Sequence, residues 1–408
     1  MKALWKRFLK AILVLILFLI ALQRYAFYQW PKLSDVSLSF VNGEEDTDPK
    51  AYETLTSILR RIPSTGLDDE VSYHNYRDVY TDLWRMETSS LERLEDMKEF
   101  SHLGIPSHIP KGDAILNITK LCNLFQLNEM KTWDFVKKGK INDAIEQIYL
   151  SLHVSYLMRN APVSSFDMLV SNHIQMKSLF VVQKILEEQA WESMDVYLRV
   201  LSILQAIDDE RTLMNGIRYD AESIDRYLRD GDGFFFQELR QEAPFWAYLY
   251  DLDASRAAAA LYFQNLLSES EKDFAHRTGM NSIDFPVNSI ASTLYNPYGA
   301  NILRNILLND MELLVEEEWL IAKRRVLITL CAARLYMWTH NGTVPKTAED
   351  LVPQFLTEIP LDPFGTQSIL MHKGFVFSIG KDIENITPQI ENIGFLFQKI
   401  ERRSQHIR

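Results

Sequence analysis

The chain has 408 residues, 47% of them hydrophobic and 24% charged, enough to bury a large core and too mixed for a fibrous or disordered protein. The net charge is −12, and five basic residues with no acid in residues 1–30 leave −17 on the remainder. A body that acidic excludes a nucleic-acid surface.

Residues 11–22, AILVLILFLIAL, form an apolar run behind Lys2, Lys6, Arg7 and Lys10. Leu4, Trp5, Phe8 and Leu9 extend it backwards, and Tyr25, Phe27, Tyr28 and Trp30 supply an aromatic belt at its far end. This pattern predicts a membrane anchor or signal segment over residues 1–30. The basic end faces the cytoplasm, so the chain is expected to pass once through a bacterial inner membrane with its body outside it. Residues 31–50 read as a polar tether.

Residues 51–278 read as a largely helical domain, broken at Pro63 and Gly66, by a loop over residues 104–112, and at Pro162, Gly231 and Gly233. Tyr52, Leu55, Ile58 and Leu59 open the pattern, and Ile118, Leu121, Cys122 and Phe125 begin a broad stripe that Gly139 ends. Ala144, Ile148 and Leu152 follow on a helix turned back on the first. The turn between them resembles one unit of a tetratricopeptide array, but no second copy occurs at that period. Asp253 precedes an alanine-rich helix through Ala257 and Ala260, on whose flat surface another helix can pack. Residues 279–300 lack helical period and are read as a linker. Residues 301–382 hold a long helix and a compact ending, and residues 383–408 an amphipathic tail with Ile390, Ile393, Phe397 and Ile400 on one side.

Catalytic signals are sparse. Asp208, Asp209, Glu210, Asp220 and Glu222 concentrate carboxylates that could serve a metal-dependent hydrolase, with His153, His173 and the pair Asp273 and His276 as further ligands. Consecutive carboxylates on a helix point to different faces, however, and no HExxH or third matched ligand accompanies them. Asp230-Gly231-Asp232-Gly233 lacks the closing glutamate of a calcium loop. The aromatic stretch 234–250 reads as core. Cys122 and Cys331 sit in apolar helical patterns and are expected as free thiols. No catalytic, cofactor or metal residues are assigned, and no cofactor is implied.

The densest run of local signals lies in residues 334–382. A helix stops at Asn341 and Gly342, and Pro345 follows in an extended segment. Thr347 and Asp350 are placed to cap a short helix that packs Leu351, Val352, Phe355 and Leu356. Pro360, Asp362, Pro363, Phe364 and Gly365 make a rigid turn. Residues 368–371 and 375–379 then pair as a hairpin, ending at Ser378, Gly380 and Asp382.

This order of residues resembles the C-terminal half of the major pseudopilin of type II secretion. The resemblance covers about fifty of the 408 residues. It implies a small α+β module in which the motif residues serve structure. The N-terminus lacks the processed site of that family, and residues 381–385 retain few of its calcium ligands. The whole layout is similar to membrane-anchored bacterial proteins with a long helical body that end in the same module.

The expected fold class is therefore mainly α: an N-terminal anchor, a multi-helix bundle or array, and a small C-terminal α+β module with a β-hairpin packed on a long helix. The expected function is that of a non-catalytic extracytoplasmic envelope or scaffold protein, with the membrane and a protein as partners. The alternatives are the metal-dependent hydrolase and a component associated with a secretion system or pilus.

Overall fold

The computed structural model describes residues 18, 21, 49–62, 88–104, 116–161, 164–188, 193–207, 212–229, 251–277, 296, 299, 303, 310–365, 367–372, 375–379 and 394–396. These residues are mainly helical and end in a small antiparallel sheet. The predicted anchor lies outside them except for Phe18 and Ala21. No helix among the described residues is long and apolar enough to cross a membrane.

Nine α-helices can be named among the described residues: α1 Lys50–Leu59, α2 Thr88–Arg93, α3 Ile118–Lys137, α4 Ile141–Arg159, α5 Ser165–Glu188, α6 Met194–Ala206, α7 Leu213–Arg229, α8 Leu252–Ser270 and α9 Asp310–Thr339. Short 3-10 turns cover Leu94–Glu99, Phe274–His276 and Ala348–Leu351. The chain divides into two compact units. One comprises residues 1–43, 217–272 and 277–311, the other residues 44–216, 273–276 and 312–408.

In the larger unit, Asn117 caps α3 by accepting the Lys120 amide at 3.1 Å. Gly139 ends the helix in the left-handed region at φ 71°, with the Lys140 amide closing on Phe135 O at 2.9 Å. That turn sends the chain back as α4. Helices α3, α4 and α5 pack on one another, and α4 also meets α6 and the 94–99 turn. Burial along α4 runs through Ala144, Ile145, Gln147, Ile148, Leu150, Ser151 and Leu152 with scarcely a break, so this helix is covered on nearly every side. The sequence reading had named Ala144, Ile148 and Leu152 as its apolar positions.

A buried ionic cluster ties four elements of this unit together. Arg159 Nη2 on α4 meets Glu317 Oε1 on α9 at 3.0 Å, with both side chains 3% exposed. Arg159 also donates to Thr212 Oγ1 at 3.0 Å and to Gln175 Oε1 on α5 at 3.3 Å, while Glu317 accepts the Leu213 amide at 3.1 Å. Nearby on α9, Arg324 donates to Ile207 O at 2.7 Å. Charges so deeply buried are tolerated because each finds several partners.

In the smaller unit, Asp251, two residues before the predicted Asp253, caps α8 by accepting the Ala254 amide at 2.9 Å, and the helix starts at Leu252. Ala257 through Ala260 are all buried, so neighbouring chain covers this part of α8 on more than the one flat face expected. Asn296, from the segment read as a linker, accepts the Asp251 amide and donates to Ser255 Oγ at 2.9 Å. On α7, Asp225 accepts Arg256 Nε of α8 at 2.8 Å and also pairs with Arg229.

The chain ends in a sheet of order β1-β2-β3, with β1 Leu370–His372, β2 Phe375–Phe377 and β3 Gly394–Leu396, all antiparallel. The hairpin register pairs Leu370 with Phe377 and His372 with Phe375, close to the predicted strands. The third strand was not foreseen. It arises inside the segment read as an amphipathic tail, where the unpaired edge of β2 supplies hydrogen-bonding groups that a helix could not satisfy.

Candidate binding surfaces

A cleft of about 310 Å³ opens in the larger unit among α3, α4 and α5. Helix α3 supplies Thr119, Cys122, Gln126 and Glu129, positions that recur on one face at helical spacing. Helix α4 adds Ile148 and Ser151, and α5 adds His173, Ile174, Lys177, Ser178 and Val181. His173 is exposed, whereas Ser151, Thr132 and Ser178 are buried, so the cleft runs inward from the side of His173.

Its electrostatics are set by one carboxylate and one ammonium. Burial pushes the Glu129 carboxyl above the ordinary value of 4.5, while the Lys177 charge and a 3.4 Å hydrogen bond from Trp133 Nε1 pull it back. Glu129 and Lys177 attract each other across the cleft, yet no direct ion pair joins them. The hydroxyls deeper in are committed to their own helices. Thr132 Oγ1 donates to Asn128 O at 2.9 Å and Ser178 Oγ donates to Ile174 O at 2.9 Å, which leaves only lone pairs for a guest. Asn128, beside the cleft on α3, donates to both Gln147 O and Ser151 Oγ and so holds α3 to α4.

The cleft passes into a basic face of α5. His173, Lys177, Phe180 and Lys184 fall at i, i+4, i+7 and i+11 and therefore share one side of the helix. The Phe180 ring is 43% exposed. Lys184 Nζ lies 5.4 Å from its centroid and Lys323 Nζ, from α9, lies 5.3 Å from it. Two ammonium groups approach one exposed ring, and both lysines also have other partners within the chain.

The residues suggested for hydrolysis are not assembled among the described residues. Asp208, Asp209 and Glu210 lie outside them, as do residues 230–233 and the aromatic stretch 234–250. Asp220 and Glu222 are two positions apart on α7 and do not share a face. His153 Nε2 is engaged with Phe100 O at 2.9 Å and Met97 O at 3.2 Å, and the ring stacks on Tyr149. Burial lowers its pKa below 6.5, against those two carbonyl bonds. His173 lines the cleft while His153 fastens the 97–100 turn to α4. The predicted pair of Asp273 and His276 is joined through the backbone, His276 N to Asp273 O at 2.8 Å. No group of three or more His, Cys, Asp or Glu that could hold a metal occurs among the described residues.

Of the C-terminal motif residues, Asp362, Phe364 and Ser378 are joined by hydrogen bonds. Asn341 and Gly342 both take the left-handed region, at φ 54° and 84°, and the Gly342 amide closes on Met337 O at 2.8 Å. Pro345 follows, buried, and Asp350 Oδ2 accepts the Thr347 and Lys346 amides at 3.2 and 2.7 Å. Leu351 and Leu356 are buried, whereas Val352 and Phe355 are only half-buried.

Asp362, 1% exposed, accepts from Phe364 N, Ser378 Oγ and Ile379 N at 3.0, 2.9 and 2.8 Å. The Pro360 carbonyl receives the Ile369 amide at 2.9 Å, and Pro363 is buried beside Phe364. Phe364, fully buried, packs edge-on against Trp319 of α9 and Phe274, with centroids 5.0 and 4.8 Å away. Gly365 passes so close to Ile379 that a Cβ there would lie 2.8 Å from Cδ1. Arg325 of α9 donates to Leu361 O at 2.7 Å and fastens the turn to the long helix. Gly380 and Asp382 lie outside the described residues.

Sequence reasoning missed Glu129, Lys177 and Phe180. A signal was present: Thr119, Gln126 and Glu129 are polar and fall at one helical phase of α3, beside its apolar stripe. A scan of family models and searches of curated proteins and of solved structures find no match to this chain.

Proposed function

We propose that this protein is a non-catalytic extracytoplasmic scaffold, tethered to the bacterial inner membrane by its N-terminal segment, whose helical body docks an acidic segment of another envelope protein. The observation that carries this reading is the Phe180 patch, an exposed ring between Lys184 and Lys323 on a chain of net charge −12. A ring that size in water gains by being covered, and an acidic covering segment would compete for two ammonium groups that already have other partners within the chain. The resemblance of residues 334–382 to a pseudopilin module supports an envelope location, and the apolar run at residues 11–22 supports the tether.

The test is a photo-crosslinking residue at position 180 in the full chain in its native membrane, with position 198 as the control because Leu198 is also exposed. A discrete adduct from position 180, mapped to an acidic segment of its partner and lost on K184E/K323E, is the expected result. No adduct, or the same adducts from both positions, would overturn the docking face.

A further inference from the structure

The cleft among α3, α4 and α5 is separate in character from the Phe180 patch, and its chemistry specifies a small molecule. We infer that it is a binding site for a free apolar α-amino acid, with the ligand ammonium on Glu129, its carboxylate on Lys177 and its side chain against Ile148, Ile174 and Val181. Four observations lead there.

The size is right for one small ligand. A cavity of about 310 Å³ lies at the lower end of the ~300–1,000 Å³ range of small-molecule sites. It is too small for a dinucleotide or a folded peptide.

The charges are of both signs and do not satisfy each other. Glu129 and Lys177 stand on different helices and line the same cavity, and no ion pair joins them. A zwitterion placed between them completes both pairs at once. A ligand with one charge would leave the opposite protein charge facing an apolar wall, which is costly.

Two of the neutral polar groups favour the ammonium end. Thr132 and Ser178 spend their protons on Asn128 O and Ile174 O, so they face the cavity as acceptors. An ammonium carries three N–H donors and no acceptor, the complement of a carboxylate beside two such hydroxyls. Of the remaining lining, Ile118, Phe125, Ile148, Ile174 and Val181 are apolar and suit an aliphatic or aromatic side chain, while Thr119, Asn123, Gln126 and Ser151 are neutral and polar, so no second charged group is called for.

Finally, access exists at the correct end. His173, at the mouth, is exposed, and Lys177 lies one helical turn further along the same face. A ligand entering side chain first leaves its carboxylate near Lys177.

Isothermal titration of the full chain in detergent tests the assignment with L-leucine and L-phenylalanine, each beside its N-acetyl derivative and its amide. The expected result is saturable binding of the free amino acids at one site. The N-acetyl derivatives, which lack the ammonium, and the amides, which lack the carboxylate, bind at least about tenfold more weakly. In E129Q the gap between amino acid and N-acetyl derivative closes to about twofold, and in K177M the gap between amino acid and amide closes likewise. Circular dichroism confirms that each variant is folded, and the wild-type comparisons need no variant at all.

Absence of binding by either amino acid up to about 10 mM would overturn the inference, as would blocked derivatives binding as tightly as the free forms. Crosslinking at position 180 is read independently, so loss of the amino-acid site and loss of the docking face are separate outcomes.

Discussion

Asp362 and Ile379 are joined by a hydrogen bond of 2.8 Å from the Ile379 amide to Asp362 Oδ2, which holds the end of the hairpin to the proline-rich turn. The other carboxylate oxygen takes Phe364 N and Ser378 Oγ, so one buried side chain fixes three points of backbone path. In D362N the new amide nitrogen must face one of those donors. The expected cost is about 1–3 kcal/mol, and D362A, which orphans all three, costs more. Urea denaturation and hydrogen exchange at the Ile379 amide measure it.

The same carboxyl gives a pH signature. Burial raises its pKa above the ordinary 3.8, outweighing the three donors and the Arg325 charge. Because the folded-state value exceeds the unfolded one, its titration contributes stability that is fully present below the unfolded value. That contribution is lost as pH rises through the folded value. The stability gap between wild type and D362N should therefore narrow as pH rises from the ordinary value of 3.8 through the raised folded-state value. A gap that widens over that range would mean the donors outweigh burial.

Phe364 is the main apolar anchor of the module, wedged between Trp319 and Phe274. F364A should cost about 3–5 kcal/mol, and F364L clearly less. Trp319 fluorescence in a denaturant titration reports the change directly. If F364A proves nearly neutral, the module does not depend on this contact with α9.

The Arg159–Glu317 pair couples α4 to α9 across 158 residues of sequence. E317Q strands the Arg159 guanidinium in the core and should cost about 3–5 kcal/mol. The double variant R159M/E317L should cost less than the two single changes summed, because neither charge is left alone. A double-mutant cycle in urea supplies the coupling, and simple additivity would contradict the contact.

Glycine positions separate two causes of intolerance. Gly139 and Gly342 have positive φ with open space around them, so G139A and G342A should each cost about 1–2 kcal/mol from backbone strain alone. Gly299 has no room, since a Cβ would lie 2.1 Å from Ser255 Oγ and 2.3 Å from Asn296 Nδ2. G299A should exceed both in thermal denaturation.

The two cysteines should differ in reactivity. Cys331 is fully buried, and burial pushes its pKa up to about 12. Cys122 is half-buried and lines the cleft. Iodoacetamide on the native chain should modify Cys122 and spare Cys331 until denaturant is added. Peptide mapping distinguishes the two, and early modification of Cys331 would show that α9 opens readily.

What the sequence made legible was local. The stops at Gly139 and Gly342, the Asp350 contribution to the cap and the approximate spans of β1 and β2 depend on residues within a few positions of one another, and a backbone signal of that kind survives any tertiary context. Burial around α4 was illegible because a helix covered on all sides carries no periodic contrast to read. Arg159 and Glu317 looked like surface charges until packing brought them together. The cleft required three helices to meet, and no spacing within any one of them places Glu129 near Lys177. The 394–396 strand was hidden by the periodic spacing of Ile390, Ile393 and Phe397, a pattern that the open edge of β2 overrides.

The central position of β2 has a practical corollary for handling fragments. A chain shortened upstream of Gly394 would strip Phe375–Phe377 of its second neighbour and leave a row of unsatisfied amides on a strand rich in aromatic residues. Such an edge recruits another copy of itself, so a shortened protein would come out of expression as pairs or precipitate through a contact the longer chain never makes. Boundaries drawn after Leu396 keep that edge closed.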